Sequence, residues 1–181
     1  MPMGRAGAAP IRALAVRLVV LGAILALTLL LELGPQPLPY APRELHALYV
    51  LIVAGCVLAL VYGALASRLS EGLRLARYEL LCDGLLVTAL VYCSGGSESL
   101  FVFLYNIWIV HAAVRAGTRG AVLACAAATL AYGGVVWGPV YGWLPTFRVG
   151  AAASFEGALL ASGIHTAGFT IVALLTHTLA A

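Results

Sequence analysis

The sequence predicts an all-α polytopic membrane protein, a bundle of six transmembrane helices with the N-terminus and the C-terminus in the cytoplasm. Hydrophobic residues make up 63% of the 181 residues and charged residues 9%, whereas soluble domains average about 45 to 50% and about 25%. Such a chain cannot cover itself with a hydrated surface. A membrane-spanning helix needs about 20 mostly apolar residues, and six stretches are of that kind: residues 13–33, 45–66, 76–93, 100–115, 120–138 and 150–180.

These stretches predict one transmembrane domain over residues 13–181, preceded by a cytoplasmic arm, residues 1–12. Residues 34–42 are dense in proline and should form an extended outer loop without helix. Residues 137–147 alternate turn formers with aromatic residues, a pattern that suits the outer membrane interface. No outer loop is long enough to fold by itself, so any stimulus must be read within the membrane or at its outer edge.

The arginines orient the predicted bundle. The chain has no lysine, and eight of its ten arginines lie near the N-terminus or in two alternate junctions: Arg5, Arg12, Arg17, Arg68, Arg74, Arg77, Arg115 and Arg119. Only Arg43 and Arg148 lie in the opposite loops. The positive-inside rule therefore places both termini and the arginine-rich loops in the cytoplasm. The net charge of +3 then indicates contact with anionic lipid of the bilayer rather than with nucleic acid.

Acidic and imidazole groups inside the spans are candidates for a polar core. Glu79 and Asp83 are four residues apart and share one helix face. Asp83 lies about 9 Å from the inner end of its span at about 1.5 Å per residue, and His111, one turn before Arg115, reaches a similar depth. We therefore expect Asp83 and His111 to be hydrogen-bond partners. Two interpretations stay open, a proton- or ligand-responsive core and the commoner helix–helix clasp.

His165 lies in the middle of the sixth stretch. Together with His111 and Asp83 it would offer two imidazoles and a carboxylate, ligand types that suit zinc or copper. Nothing in the spacing specifies a metal, so we expect interhelical hydrogen bonds and no metal or other cofactor. The four cysteines are isolated and lack metal-ligand spacing, and we expect neither a disulfide nor a zinc site from Cys56, Cys82, Cys93 and Cys125.

A polar turn separates the third and fourth stretches on the predicted outer side. It consists of Ser94, Gly95, Gly96, Ser97, Glu98 and Ser99, and its glycines should relieve the strain of positive φ. No phosphate loop, zinc-protease or nucleophile-elbow motif stands in a suitable context. We therefore expect no catalytic residue and no enzymatic activity within these 181 residues.

Residues 81–121 carry a pattern that extends beyond the turn. An aspartate lies in a span, a Gly-Gly turn follows, then a Leu-Tyr pair, and Arg-Gly-Ala opens the next span: Asp83, Gly95, Gly96, Leu104, Tyr105, Arg119, Gly120 and Ala121. The pattern resembles the membrane sensor region of PilS/NtrB-type bacterial sensor histidine kinases. Two positions depart from it, Leu100 in place of proline or glycine and His111 in place of an apolar residue.

The resemblance implies a signal-input domain of a two-component system in the bacterial inner membrane. Such a domain would form a homodimer, could meet a membrane-protein ligand, and would relay a change through its last helix to a cytoplasmic kinase core in cis. These 181 residues hold no kinase core, so we expect either a domain excised from a longer protein or a stand-alone membrane module. The alternatives are a small six-span transporter subunit, similar to the substrate-binding type of the energy-coupling-factor family, and a membrane scaffold.

Overall fold

The computed structural model describes residues 8–33, 42–68, 72–146 and 154–180. Most of these residues are helical and none of them lies in a β-strand, which confirms the predicted all-α class. The helices are α1 (Ala8–Glu32), α2 (Pro42–Arg68), α3 (Gly72–Cys93), α4 (Phe103–Val140) and α5 (Phe155–Ala180). Two short 3₁₀ turns, Gly96–Glu98 and Leu100–Val102, lead from α3 into α4.

Helix α4 reverses direction at Gly117 and is a hairpin of two arms, residues 103–116 and residues 118–140. Gly117 has φ 63° and ψ −157°, a backbone region that is essentially restricted to glycine. Ala112 and Gly120 would be about 12 Å apart along a continuous helix, yet a Cβ built on Gly120 would lie 2.4 Å from the carbonyl oxygen of Ala112. The rings of Tyr105 and Tyr132 likewise meet across the arms, with centroids 6.2 Å apart.

Each of the six predicted stretches coincides with a helical segment, because the two arms of α4 correspond to the fourth and fifth. Within the described ranges, three helices are long and apolar enough to cross a membrane, Pro42–Leu65, Leu100–Val140 and Phe155–Thr178, and Arg17–Leu30 is a shorter apolar helix. The chain is therefore a multi-pass membrane protein, and six crossings stay a prediction. The outer loop was predicted over residues 34–42, of which Pro42 instead begins α2. Residues 34–41 of that loop and the predicted start of the sixth span lie outside the described residues.

The end of the second arm differs from the predicted loop, which was expected to begin at Trp137. The helix instead continues through Pro139 to Val140. The carbonyl of Gly138 accepts hydrogen bonds from the amides of Trp143 and Leu144 at 2.8 and 3.2 Å, so the chain turns only after the helix has been capped. Trp137 also stacks on Tyr141, with ring centroids 5.8 Å apart.

The chain divides into two compact units, Met1–Glu79 and Leu80–Ala181. In the first unit α1 and α2 pack antiparallel. The Tyr49 hydroxyl donates to the Glu32 carboxylate at one end, and the Arg17 guanidinium lies 5.9 Å from the centre of the Tyr62 ring at the other. The residues buried in this unit are mainly apolar and include Leu21, Ile24, Leu48, Ile52 and Ala59.

In the second unit four segments run antiparallel in chain order: residues 80–93 of α3, the two arms of α4, and α5. Their register follows from side-chain pairs, which are Thr88 with Tyr105, Tyr105 with Tyr132, Tyr132 with His165, and Thr118 with His177. At the centre the rings of Tyr105, Tyr132 and Phe169 pack on one another with centroids 5.4 to 6.2 Å apart. Such tilted and edge-on contacts stabilise aromatic pairs beyond their buried area.

The reversal at Gly117 can be tested by substitution. We expect Gly117→Ala to destabilise the chain by about 1 to 3 kcal/mol, since alanine is strained at this φ and ψ. Gly133→Ala is the matched control, because Gly133 lies in the helical second arm and a Cβ there meets nothing within 4 Å. Unfolding in mixed dodecyl maltoside and SDS micelles, followed by circular dichroism, measures both, and equal effects of the two substitutions would contradict the hairpin.

Candidate functional site

Polar side chains of the second unit collect at two opposite ends of its helices. The first group is the Gly117 end, which we define as Asp83, His111, Arg115, Thr118 and His177. The second is the turn end, which we define as residues 94–99 with the parts of the second arm and of α5 that lie beside them. The aromatic cluster of Tyr105, Tyr132 and Phe169 lies between the two ends, because it pairs residues from the middle of each segment.

Asp83 and His111 meet at the Gly117 end, as their matching depth predicted. The Nδ1 atom of His111 lies 3.7 Å from Oδ2 of Asp83, and each side chain is 25% exposed. This distance is within ion-pair range and longer than a normal hydrogen bond. The proximity is thus confirmed, while a role for the pair in signalling stays a prediction.

Arg115 extends the pair along its own helix. Its Nε–H donates to Nε2 of His111 at 3.4 Å. A ring nitrogen that accepts a hydrogen bond carries no proton, so the neutral imidazole with hydrogen on Nδ1 fits both neighbours, facing Asp83 with a donor and Arg115 with an acceptor. Protonation would remove the acceptor for Arg115 and place a positive charge beside Asp83, which makes His111 chemically able to exchange one neighbour for the other.

A second contact joins the Gly117 end to the last helix. The hydroxyl of Thr118, the first residue after the reversal, lies 3.0 Å from Nδ1 of His177. His177 is in the last turn of α5. The end of α5 is therefore held by a side chain of the same hairpin that carries His111 and Arg115.

The backbone on either side of Asp83 is held by close packing against the first arm. The Trp108 indole N–H donates to the carbonyl of Leu80 at 2.9 Å, and a Cβ on Gly84 would lie 2.5 Å from the Trp108 ring. One turn further along, the Tyr105 hydroxyl donates to Thr88 at 2.9 Å. Sequence reasoning missed these contacts, although the glycine next to Asp83 is a readable signal that a large side chain of a neighbouring helix packs at that position.

Glu79 has a partner that the sequence analysis did not identify. It was grouped with Asp83 because the two share a helix face, but its carboxylate lies 2.7 Å from Arg17 of α1 within the first unit. Both side chains are largely buried, at 11% and 13% exposure, and a buried charge is costly unless it is paired. Arg17 and Glu79 lie near the inner ends of their predicted spans, so the depth argument that paired Asp83 with His111 would have found this pair too.

His165 lies apart from Asp83 and His111, and the expected hydrogen bond is not what holds it. Its ring packs against Tyr132 and Phe169, with centroids 4.9 and 6.3 Å away. Among the residues that the structure describes, no three His, Cys, Asp or Glu side chains are placed to hold a metal ion. His165 therefore packs against the aromatic cluster.

The polar turn owes its shape to two buried serines and two glycines. Ser94 donates to the carbonyl of Leu90 at 2.6 Å and shares a hydrogen bond with Ser99, whose hydroxyl accepts from the amide of Phe101 at 3.1 Å. Gly95 and Gly96 have φ 115° and 61°, which confirms the prediction of positive φ. Ser97 and Glu98 are the exposed residues of the turn.

A cavity of about 360 Å³ lies at the turn end, between the turn, the second arm and α5. Its lining combines the turn residues Gly95, Gly96, Ser97 and Glu98 with apolar residues of the two helices, and it also includes His165. Nothing in the sequence analysis predicted it. A cavity depends on how three segments meet, and the small residues Gly157, Ala158 and Ala161 that leave the space look like ordinary membrane-helix composition.

Comparison with known proteins extends the resemblance seen in residues 81–121 to nearly the whole chain. Residues 10–181 match the model of the PilS-like transmembrane domain, a family named for six transmembrane segments. The chain matches no curated protein and no solved structure. Since the family match covers both compact units, the chain belongs to the PilS-like transmembrane domain family.

Proposed function

We propose that the chain is the membrane-embedded signal-input domain of a two-component sensor histidine kinase. The observation that carries this proposal is the family match over residues 10–181, taken with the resemblance of residues 81–121 to kinase sensor regions. It favours a sensor over a transporter subunit or a scaffold. The 181 residues would have no catalytic role, and a kinase core in cis would supply the phosphoryl-transfer chemistry.

The proposed topology is six crossings of a bacterial inner membrane with both termini in the cytoplasm. The antiparallel order of the segments supports it, because the turn end and the Gly117 end alternate along the second unit. Arg115 and Arg119 flank the reversal at Gly117, whereas no arginine or lysine lies within residues 94–99. By the positive-inside rule the Gly117 end would face the cytoplasm.

On this topology the Gly117 end adjoins the place where the last helix leaves the membrane. The Asp83–His111–Arg115 contacts and the Thr118–His177 contact would hold α5 in one packing, and a stimulus would favour another. Two packings separated by a few kcal/mol are sufficient for such a switch. We place the homodimer and a membrane-protein ligand within the same proposal, since both would act on helix packing.

The orientation can be tested by cysteine accessibility in intact cells. In a background whose native cysteines are replaced by alanine, we expect Ser97→Cys to react with a membrane-impermeant maleimide and Thr118→Cys to be protected, because both positions are exposed but lie at opposite ends. Permeabilised cells, in which both variants should react, are the control. Protection of Ser97→Cys together with labelling of Thr118→Cys in intact cells would reverse the topology.

The role of Asp83 can be tested in a full-length kinase that carries this domain. We expect Asp83→Asn to change reporter output by about fivefold or more, the lower end of ordinary coupling energies, with little loss of membrane expression. His111→Gln should produce a similar change, and the double variant should not add to it, since the two residues act as one pair.

Glu156→Gln is the matched control for Asp83→Asn, because Glu156 is an exposed acid in the first turn of α5. It should leave reporter output unchanged. Wild-type output from a well-expressed Asp83→Asn kinase would show that the Asp83–His111 pair is only a clasp between helices.

A further inference from the structure

The cavity at the turn end has the size and the mixed lining of a small-molecule site. Its volume of about 360 Å³ lies in the range of about 300 to 1,000 Å³ that is typical of such sites, and would hold roughly a dozen waters. Most of its wall is apolar, from Val135, Val136 and Pro139 of the second arm and from Leu160 and Ile164 of α5. Waters held against such a wall are displaced favourably by an apolar body.

The polar side chains that line the cavity are Tyr92, Ser97, Glu98, Thr146, Ser154 and His165. Two of them already have partners, because the Tyr92 hydroxyl donates to the carbonyl of Pro145 and the Ser154 hydroxyl accepts from the amide of Gly157. Ser97 and Glu98 of the turn lie on one side. His165 also lines the cavity, and no hydrogen bond to its imidazole is formed by the described residues. The ring of Tyr132 packs on His165, with the two ring centroids 4.9 Å apart. Tyr132 is 1% exposed, and the Tyr132 hydroxyl has no hydrogen-bond partner in the described part of the chain.

Unpaired polar groups beside an apolar cavity indicate what the occupant must carry. A buried donor or acceptor without a partner costs about 1 to 3 kcal/mol. A lipid acyl chain in the cavity would leave the His165 imidazole without a hydrogen-bond partner. A molecule with one hydroxyl or similar group could form a hydrogen bond with the imidazole. We propose that this cavity binds a small free amphiphile, an apolar body with a single hydrogen-bonding group that pairs with the imidazole of His165.

An occupant that binds His165 would be linked to the aromatic cluster through packing contacts. His165 packs on Tyr132, Tyr132 on Tyr105, and the Tyr105 hydroxyl donates to Thr88 of α3. Thr88 in turn donates to the carbonyl of Gly84 at 2.7 Å, next to Asp83. That the amphiphile acts as the stimulus of a kinase rests on the proposed sensory function. That it binds to this chain does not.

Binding can be measured directly by photolabelling the full chain in bilayers of phosphatidylethanolamine and phosphatidylglycerol. The probes are an octanol that carries a diazirine, the corresponding octane without the hydroxyl, and a phosphatidylglycerol with a diazirine in its acyl chain. Mass spectrometry locates the labelled residues, and unlabelled octanol competes. We expect saturable labelling of cavity residues by the octanol probe, with about a fivefold preference over the octane probe, as one net hydrogen bond would give.

Three variants make the assignment specific. Ala161→Leu fills the cavity from α5 and should weaken octanol labelling by about tenfold or more, whereas Ala167→Leu, on an exposed position of the same helix, should not change it. His165→Phe keeps a ring against Tyr132 and Phe169 but removes the nitrogens, so it should abolish the preference for octanol over octane.

The proposal is overturned if Ala161→Leu and Ala167→Leu are labelled alike, if wild type shows no preference for the hydroxyl, or if the lipid probe alone labels the cavity. Because the readout is binding to a chain without a kinase, these outcomes leave the sensor proposal as it was. Conversely, labelling as expected together with unresponsive reporter output would count against the sensor and not against the site.

Discussion

The reversal of α4 at Gly117 is the constraint on which the second unit depends. Without it the 38 residues of Phe103–Val140 would form a rod about 57 Å long, nearly twice the hydrocarbon thickness of about 30 Å. With it, residues 118–140 return along residues 103–116 and Tyr132 reaches Tyr105. The same reversal places Arg115 and Thr118 at one end of the helices. There Arg115 contacts His111, and Thr118 contacts His177.

Several polar side chains inside the helices follow one physical rule, although the Tyr132 hydroxyl has no hydrogen-bond partner among the described residues. In hydrocarbon an unsatisfied polar group is expensive, and in this chain the buried hydroxyls of Thr28 and Ser94 are satisfied by carbonyls one turn earlier. The charged groups need partners on other helices. Glu79 pairs with Arg17, and Asp83 lies beside His111. Such partners lie on neighbouring segments and therefore link the helices that carry them.

The proposed function involves both ends of the second unit. At the turn end a cavity reaches His165, and at the Gly117 end contacts from the hairpin hold the last turn of α5. The aromatic cluster and the hydrogen bond from Tyr105 to Thr88 lie between them as a continuous set of packed groups. Membership in the PilS-like transmembrane domain family is the reason to propose that these packed groups belong to a sensor.

The fold class and the place of the hairpin could be predicted because membrane composition and Arg115–Arg119 are local signals. The Asp83–His111 proximity could be predicted because both depths are counted from arginine-flanked ends. Other features could not be read so directly. The partner of Glu79 was missed because only its own helix face was considered, and the aromatic cluster was missed because a span that is apolar on every side does not show which face meets lipid. The cavity depends on three segments at once.

On the proposed function, the Asp83–His111 pair controls the packing of the last helix against the hairpin. The most direct test is pulsed electron paramagnetic resonance on a cysteine-free chain in bilayers, with spin labels at Val114 and Leu175, which are exposed positions of the first arm and of α5. We expect Asp83→Asn to broaden or shift the distance distribution and Glu156→Gln to leave it unchanged. Identical distributions in wild type and Asp83→Asn would contradict the claim.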